Sequence, residues 1–456
     1  MFKKNAWEKY SNDDLKKLTD LCEDYKEFIS SCKTERECVN YSIELIEKLG
    51  FKNIDSVKSI KSGDKLYAIN KGKNICVFVI GDEPISNGIN ILGAHIDSPR
   101  IDVKQNPLYE SEGFAYLDLH YYGGIIKYQW VTIRLAIHGA ICKKNGEVIN
   151  VCIGENPNDP VFVITDLLPH LGADKLTKTG NKVVEGEDLD LTIASTPLKD
   201  SDKEAVKKNV LKLLKEKYDI SEDDFVSAEL EIVPEGKARD LGIDRSMIIG
   251  YGHDDRVCAY TSLRAVLDAG KCKKTICAYL VDKEEIGSVG ATGAHSLWFQ
   301  NTLAELINLE NKNYNDVLLR RALSNSCMLS SDVSAGFDPL YSNVFEKKNA
   351  CFLGNGITFN KYTGARGKSG CNDAMPEYMA KIRKIMDDNN VNYQTAELGK
   401  VDIGGGGTIA YIMGNQNMNV IDAGVPVMSM HAPQEVVSKA DVYEAYLGYV
   451  AFVKEA

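Results

Sequence analysis

The sequence predicts an α/β layer fold with a largely parallel central sheet, interrupted by an inserted β-rich domain. Three observations carry this. After Met247, strand-like and helix-like segments alternate, the rhythm of a parallel sheet flanked by helices. Two short apolar runs before residue 98, Ile75 to Ile80 and Ile89 to Gly93, read as buried strands of the same kind. The stretch between lacks helical periodicity over much of its length and carries short β-type runs, many aromatics and the pair Gly123-Gly124. The division is therefore 1–102 and 247–456 for one domain, with 103–246 inserted. At roughly 150 residues per domain, 456 residues suit two or three domains.

Each element has its own signal. Residues 12–49 read as two helices, and Thr34 with Glu37 has capping-box spacing for the second. A helix over 202–218 places Val206, Val210, Leu213, Leu214 and Tyr218 on one face. A strand from Phe225 to Val233 follows. Then come a strand at Met247–Gly250, a helix Arg256–Ala269 stopped by Gly270, a strand Thr275–Asp282 and a helix Ala291–Leu309. Strand-like runs surround Leu329 and Val420, and the last helix starts at Ser438, spaced from Asp441 as a cap.

Composition narrows the function. Acids outnumber bases 65 to 54, for a formal charge of −11, which argues against a nucleic-acid surface. No window holds 18 uninterrupted apolar residues, so no membrane span is expected. The chain opens Met1-Phe2-Lys3-Lys4-Asn5-Ala6-Trp7 with no apolar signal region, and a cytoplasmic location is expected. The 12 Cys form no Cys-x-x-Cys pair and read as small buried apolar residues.

Chemistry gathers where predicted strands end. His95-Ile96-Asp97, Asp254-Asp255-Arg256, Glu284-Glu285, Asp332 and His431 all follow strand-like runs, and ligands of open α/β sheets bind at such ends. Alone, each has a plainer reading: a loop hydrogen bond for His-x-Asp, a helix start for Asp-Asp-Arg, solvated surface for Glu-Glu. Together, in one sheet, they are expected to converge on one site. His95, Asp254, Glu285, Asp332 and His431 supply two imidazoles and three carboxylates, a set suited to two divalent ions such as zinc, cobalt or manganese. Of the paired acids Glu284-Glu285, one can bind metal while its neighbour serves as general base. Asp97 is spaced to orient the His95 ring.

The order of these motifs resembles the dinuclear metallo-aminopeptidases of the MH clan, and within them the M18, aspartyl aminopeptidase-like, group. The resemblance also rests on Gly93-Ala94-His95-Ile96-Asp97-Ser98-Pro99, Tyr122-Gly123-Gly124 with Trp130, Leu168-Pro169-His170-Leu171, and Ser429-Met430-His431. It covers nearly the whole chain. It implies a three-layer catalytic domain with a mostly parallel or mixed sheet, plus an inserted dimerisation domain. It implies that Asp254 bridges two metal ions, zinc foremost, that His95 and Asp332 complete one and that Glu285 and His431 complete the other. Glu284 becomes the general base, and the Asp254–Asp255 peptide is expected to be cis. Dimers are expected to assemble into a tetrahedral dodecamer, in which His170 reaches a neighbour's site to stabilise an oxyanion. Thr358, Gly406 and Gly407 are expected to meet the peptide substrate.

Two positions depart from the family pattern. Members that prefer acidic N-terminal residues are expected to carry a His three positions after the metal Asp and a Lys in an Ile-Lys-x-Asn strand. Here these are Ala335 and Thr358. A buried substrate carboxylate would lack a cation, so neutral or apolar N-terminal residues are expected. The expected activity is release of N-terminal amino acids by metal-activated water. A carboxypeptidase or deacylase of the same clan, using Arg256 or Lys361 for a substrate carboxylate, stays open from sequence. So does a non-catalytic assembly protein that kept the fold.

Overall fold

The computed structural model describes residues 5–456; Met1–Lys4, on which the reading of the N-terminus partly rests, lie outside the described residues. The chain divides into two compact units. One takes the chain up to Asp97, then Ala238–Met430 and Glu435–Ala456; the other takes Ser98–Lys237 and the short segment His431–Gln434. The breaks fall earlier than the sequence placed them, at 98 and 238 rather than 103 and 247. Strand pairing decides this. Arg100 already pairs with Tyr122 inside the second unit. Arg239–Leu241 pairs with Met247–Gly250 inside the first.

The first unit is built on a nine-stranded sheet. Its centre runs Ile276–Val281, Asn90–His95, Cys327–Ser330 and Asn419–Gly424, each parallel to the next. Antiparallel neighbours flank this centre: Asn74–Val79 on one side and Ile357–Asn360 on the other. The strands obey the two-residue period of buried sheet. Ile276, Ala278 and Leu280 join one apolar cluster with the helices Asn12–Ser31, Glu35–Lys48, His253–Asp268, Pro376–Asp388 and Lys439–Glu455. Cys277, Tyr279 and Val281 join the other cluster with the helices Trp298–Glu310, Asp316–Asn325 and Ala410–Gly414. The unit is thus three-layered, with a mixed sheet in the middle.

A separate five-stranded sheet holds Arg239–Leu241, Met247–Gly250, Glu435–Ser438, Pro426–Met428 and Ser334–Ala335. This corrects the single-sheet expectation. The strand before Asp254 and the one before His431 belong here, not to the nine-stranded sheet. Two further differences are local. The helix expected from Ala291 starts at Trp298, because Thr292 and Gly293 are held in turns. Phe225 lies in a 3-10 turn, and the strand begins at Ala228.

The second unit is a six-stranded antiparallel sheet in the order Val148–Ile153, Leu135–Cys142, Ala228–Pro234, Arg100–Ser111, Phe114–Tyr122 and Leu191–Ala194. It includes the helix Ala205–Tyr218, which buries Val206 and Val210. Among the described residues, no helix is long and apolar enough to cross a membrane.

Candidate metal centre

Three strand ends of the nine-stranded sheet bring ligand-type side chains to one edge. His95 ends Asn90–His95, Glu284 and Glu285 follow Ile276–Val281, and Asp332 follows Cys327–Ser330. Because these strands are parallel and adjacent, their carboxyl ends share that edge. Asp254 arrives from the other sheet, at the start of the helix His253–Asp268. There Gly252 takes a left-handed φ of 78°, Asp254 is itself non-helical, and the Asp254–Asp255 peptide is cis.

The side chains meet closely. His95 Nε2 lies 3.1 Å from Asp254 Oδ1, 3.9 Å from Glu284 Oε2 and 4.0 Å from Asp332 Oδ1. Ligand atoms of His95, Asp254 and Asp332 fall within 4.8 Å of one another, as do those of His95, Glu284 and Glu285. On the far side of the ring, Nδ1 donates to the Asp97 carbonyl at 3.0 Å. Asp97 also accepts the backbone N–H groups of Glu284 and Glu285, both at 3.1 Å. Asp97 therefore orients the imidazole through its carbonyl, with its carboxylate 3.3 Å from Nδ1, and holds the paired acids through that carboxylate.

These residues fit a divalent cation. Carbonyl acceptance at Nδ1 leaves Nε2 of His95 to act as the ligand nitrogen, the arrangement typical of metal-binding histidines. Burial opposes charge on this ring, yet the Asp254 and Asp97 carboxylates outweigh it and hold its pKa well above the usual value. Burial, with Asp255, Glu284 and Asp254 as like-charged neighbours, pushes the Asp332 carboxyl well up. Carboxylates crowded in this way favour a bound cation.

His431 lies in the segment that groups with the second unit, where Nδ1 donates to the Gly124 carbonyl at 2.9 Å. That bond leaves Nε2 as the ring nitrogen that could coordinate a metal, and a Cβ on Gly124 would sit 3.4 Å from the His431 ring. His170 sits in an exposed turn of the second unit. Thr358 is buried in Ile357–Asn360. Gly406 is half-buried and donates its N–H to the Thr363 carbonyl at 2.9 Å, while Gly407 is exposed.

Several supporting residues were missed from sequence. Glu435 accepts the Asp254 N–H at 3.0 Å, and Asp255 accepts the His95 N–H at 3.3 Å. The Tyr25 hydroxyl is 2.6 Å from His253 Nδ1. Only the Asp-Asp and His-Asp adjacency hinted at these contacts; Tyr25 and Glu435 are far from their partners in the chain. Arg256 is fully buried and donates through Nη2 to the Lys33 carbonyl at 2.8 Å. Lys361 pairs with Asp373. Both cations that could have served a substrate carboxylate have partners within the fold.

Comparison with known proteins identifies the family. A family model described as aminopeptidase I zinc metalloprotease (M18) matches residues 28–453. A relative named probable M18 family aminopeptidase 1, from Clostridium acetobutylicum, is 59% identical over 455 residues, spanning 99% of this chain and 98% of its own. The crystal structure of an M18 aminopeptidase from Thermotoga maritima matches with a TM-score of 0.96 at 42% identity, covering 100% of both chains. The S. cerevesiae mApe1 dodecamer matches at TM-score 0.76 and 21% identity over 95% of this chain and 96% of its own, a likeness of fold. The chain belongs to the M18 metalloprotease family and is a metal-dependent aminopeptidase.

Proposed function

We propose that the chain is a two-metal exopeptidase that releases neutral or apolar N-terminal residues from peptides in preference to acidic ones. The convergence of His95, Asp254, Glu284, Glu285 and Asp332 on one edge of the sheet carries this reading. In it, Asp254 would be shared by two ions, His95 and Asp332 would help hold one, and Glu285 and His431 would help hold the other. Zinc leads, as in the family's description; cobalt or manganese suits the same donors. Bound ions would acidify water and polarise the scissile carbonyl.

The chain's own groups do the rest. Glu284, 3.9 Å from His95 Nε2 and not needed as a ligand, takes a proton from the attacking water. It returns that proton to the leaving amine nitrogen. Asp97 holds His95 and the Glu284–Glu285 turn in register. His170, offered by a neighbouring subunit, donates to the developing oxyanion. Its exposed turn supports that role, as does the dodecameric state of a structural relative. Thr358, Gly406 and Gly407 contact the substrate. Thr358 and Ala335 bring no cation, which supports the neutral preference. The 12 free cysteines support a cytoplasmic, reducing location.

The deciding experiment is a panel of aminoacyl anilides assayed with each metal, on wild type and Glu284→Gln. Leu and Met substrates are expected to turn over faster than Asp and Glu, and the variant is expected to keep its metal while losing turnover by roughly 10²-fold or more. Faster Asp or Glu turnover overturns the preference; an active variant overturns the mechanism.

A further inference from the structure

We infer that the hairpin turn Asn70–Asn74 is a positioning clasp for the loop that carries Glu284 and Glu285. This rests on the roles proposed for those two acids. The loop leaves the strand Ile276–Val281 at Asp282 and enters its next α-helix only at Trp298. Asp97 holds its near end through the two backbone bonds described above. The far end is held by side chains from one turn.

Asn70 Nδ2 donates to the Ala291 carbonyl at 2.7 Å, and Asn74 Nδ2 donates to the Thr292 carbonyl at 2.5 Å. Between them, Lys73 Nζ lies 3.7 Å from Asp282 Oδ2 and 4.0 Å from Glu35 Oε2. Thr292 Oγ1 donates to Asp282 Oδ2 at 2.6 Å, so the end of the loop is tied back to its start. Asp282 and Glu35 are fully buried and Lys73 is 7% exposed. A lysine this deep needs paired carboxylates, and here two lie within 4.0 Å of its Nζ.

The turn is built to present these groups. Lys71 and Gly72 take φ of 52° and 70°, and Lys73 N–H bonds the Asn70 carbonyl at 2.9 Å. Paired positive-φ residues make the tight turn that matches strand twist in a hairpin. Its second strand, Asn74–Val79, pairs with Ile276–Val281, the strand the loop leaves. Hairpin and loop are therefore tied to the same strand. None of Asn70, Lys73 and Asn74 belongs to the candidate metal cluster. They are positioning residues, acting through Asp282, Ala291 and Thr292.

The test uses the full-length, metal-loaded enzyme with a leucine anilide. Lys73→Met is expected to lower kcat by roughly tenfold to hundredfold, the scale of an ångström-level misplacement, with KM little changed and metal content intact. Lys73→Arg is expected to restore much of kcat. Asn70→Ala, at a half-buried position that tolerates truncation, is expected to lower kcat a few-fold in a folded protein. The double variant Lys73→Met/Glu35→Gln relieves the uncompensated charge. It is expected to recover thermal stability but not kcat. Wild-type kcat in folded, metal-loaded Lys73→Met or Asn70→Ala overturns the clasp. So does recovery of kcat along with stability in the double variant, which would make Lys73 a charge neutraliser only. Glu284→Gln is run alongside: if it stays active, the reading of the loop acids fails first and the clasp falls with it.

Discussion

Asp422 shows how much one residue's setting changes its chemistry. Strand register places it beside Ser330 and Asn360, and Thr408 Oγ1 donates to its Oδ1 at 2.7 Å. Burial pushes its carboxyl from 3.8 up to about 7. Between those values the folded state holds a proton that the unfolded state has released. The stability due to that proton is complete below the unfolded value and is lost as pH rises through about 7. Asp422→Asn is therefore expected to have an unfolding midpoint less sensitive to pH than wild type between about pH 4 and about pH 7, measured by thermal melts of both proteins. Nothing in the sequence marks Asp422, since its neighbours Ser330 and Thr408 meet it only through pairing of distant strands. His95 and Asp97 were legible for the opposite reason: their bond is local, two residues apart.

At the scale of elements, local rules predicted well where the interactions are local. The Thr34–Glu37 box is formed: Thr34 Oγ1 accepts the Glu37 N–H at 3.2 Å, and Glu37 Oε2 accepts the Thr34 N–H at 3.0 Å. Thr34→Ala is expected to destabilise the protein by about 1 kcal/mol with kcat unchanged, read by chemical denaturation and anilide assay. The central strands were legible as short apolar runs because both faces of the sheet are buried. Sheet membership was not. Met247–Gly250 looks like any apolar strand in sequence, yet its antiparallel partners Arg239–Leu241 and Glu435–Ser438 draw it into a different sheet. The start of the helix at Trp298 was also hidden, because the preceding turns are held by bonds such as His295 N–H to the Ser288 carbonyl at 3.1 Å.

At the scale of the whole molecule, the proposed metal ions and assembly make testable predictions. Removing metal with a chelator is expected to abolish turnover and lower the melting temperature, because the crowded carboxylates lose their counter-charge and a ligand that binds only the folded state stabilises it. Re-adding zinc, cobalt or manganese is expected to restore both, followed by melts and anilide turnover. Light scattering is expected to show a dodecamer, with His170→Ala lowering kcat by roughly 10²-fold without altering metal content. The sequence by itself determined the α/β layers, the inserted β-rich segment, the sparse set of histidines and acids able to bind metal, and the lack of cations at Ala335 and Thr358. These follow from hydrophobic period, composition and short spacings, which are properties of neighbouring residues. Only the tertiary structure decided which sheet presents Asp254, that Arg256 is occupied by the Lys33 carbonyl, and that a hairpin more than two hundred residues away by chain from the loop holds it in place. Those contacts join residues that chain connectivity leaves far apart, so only the register of packed strands brings them together.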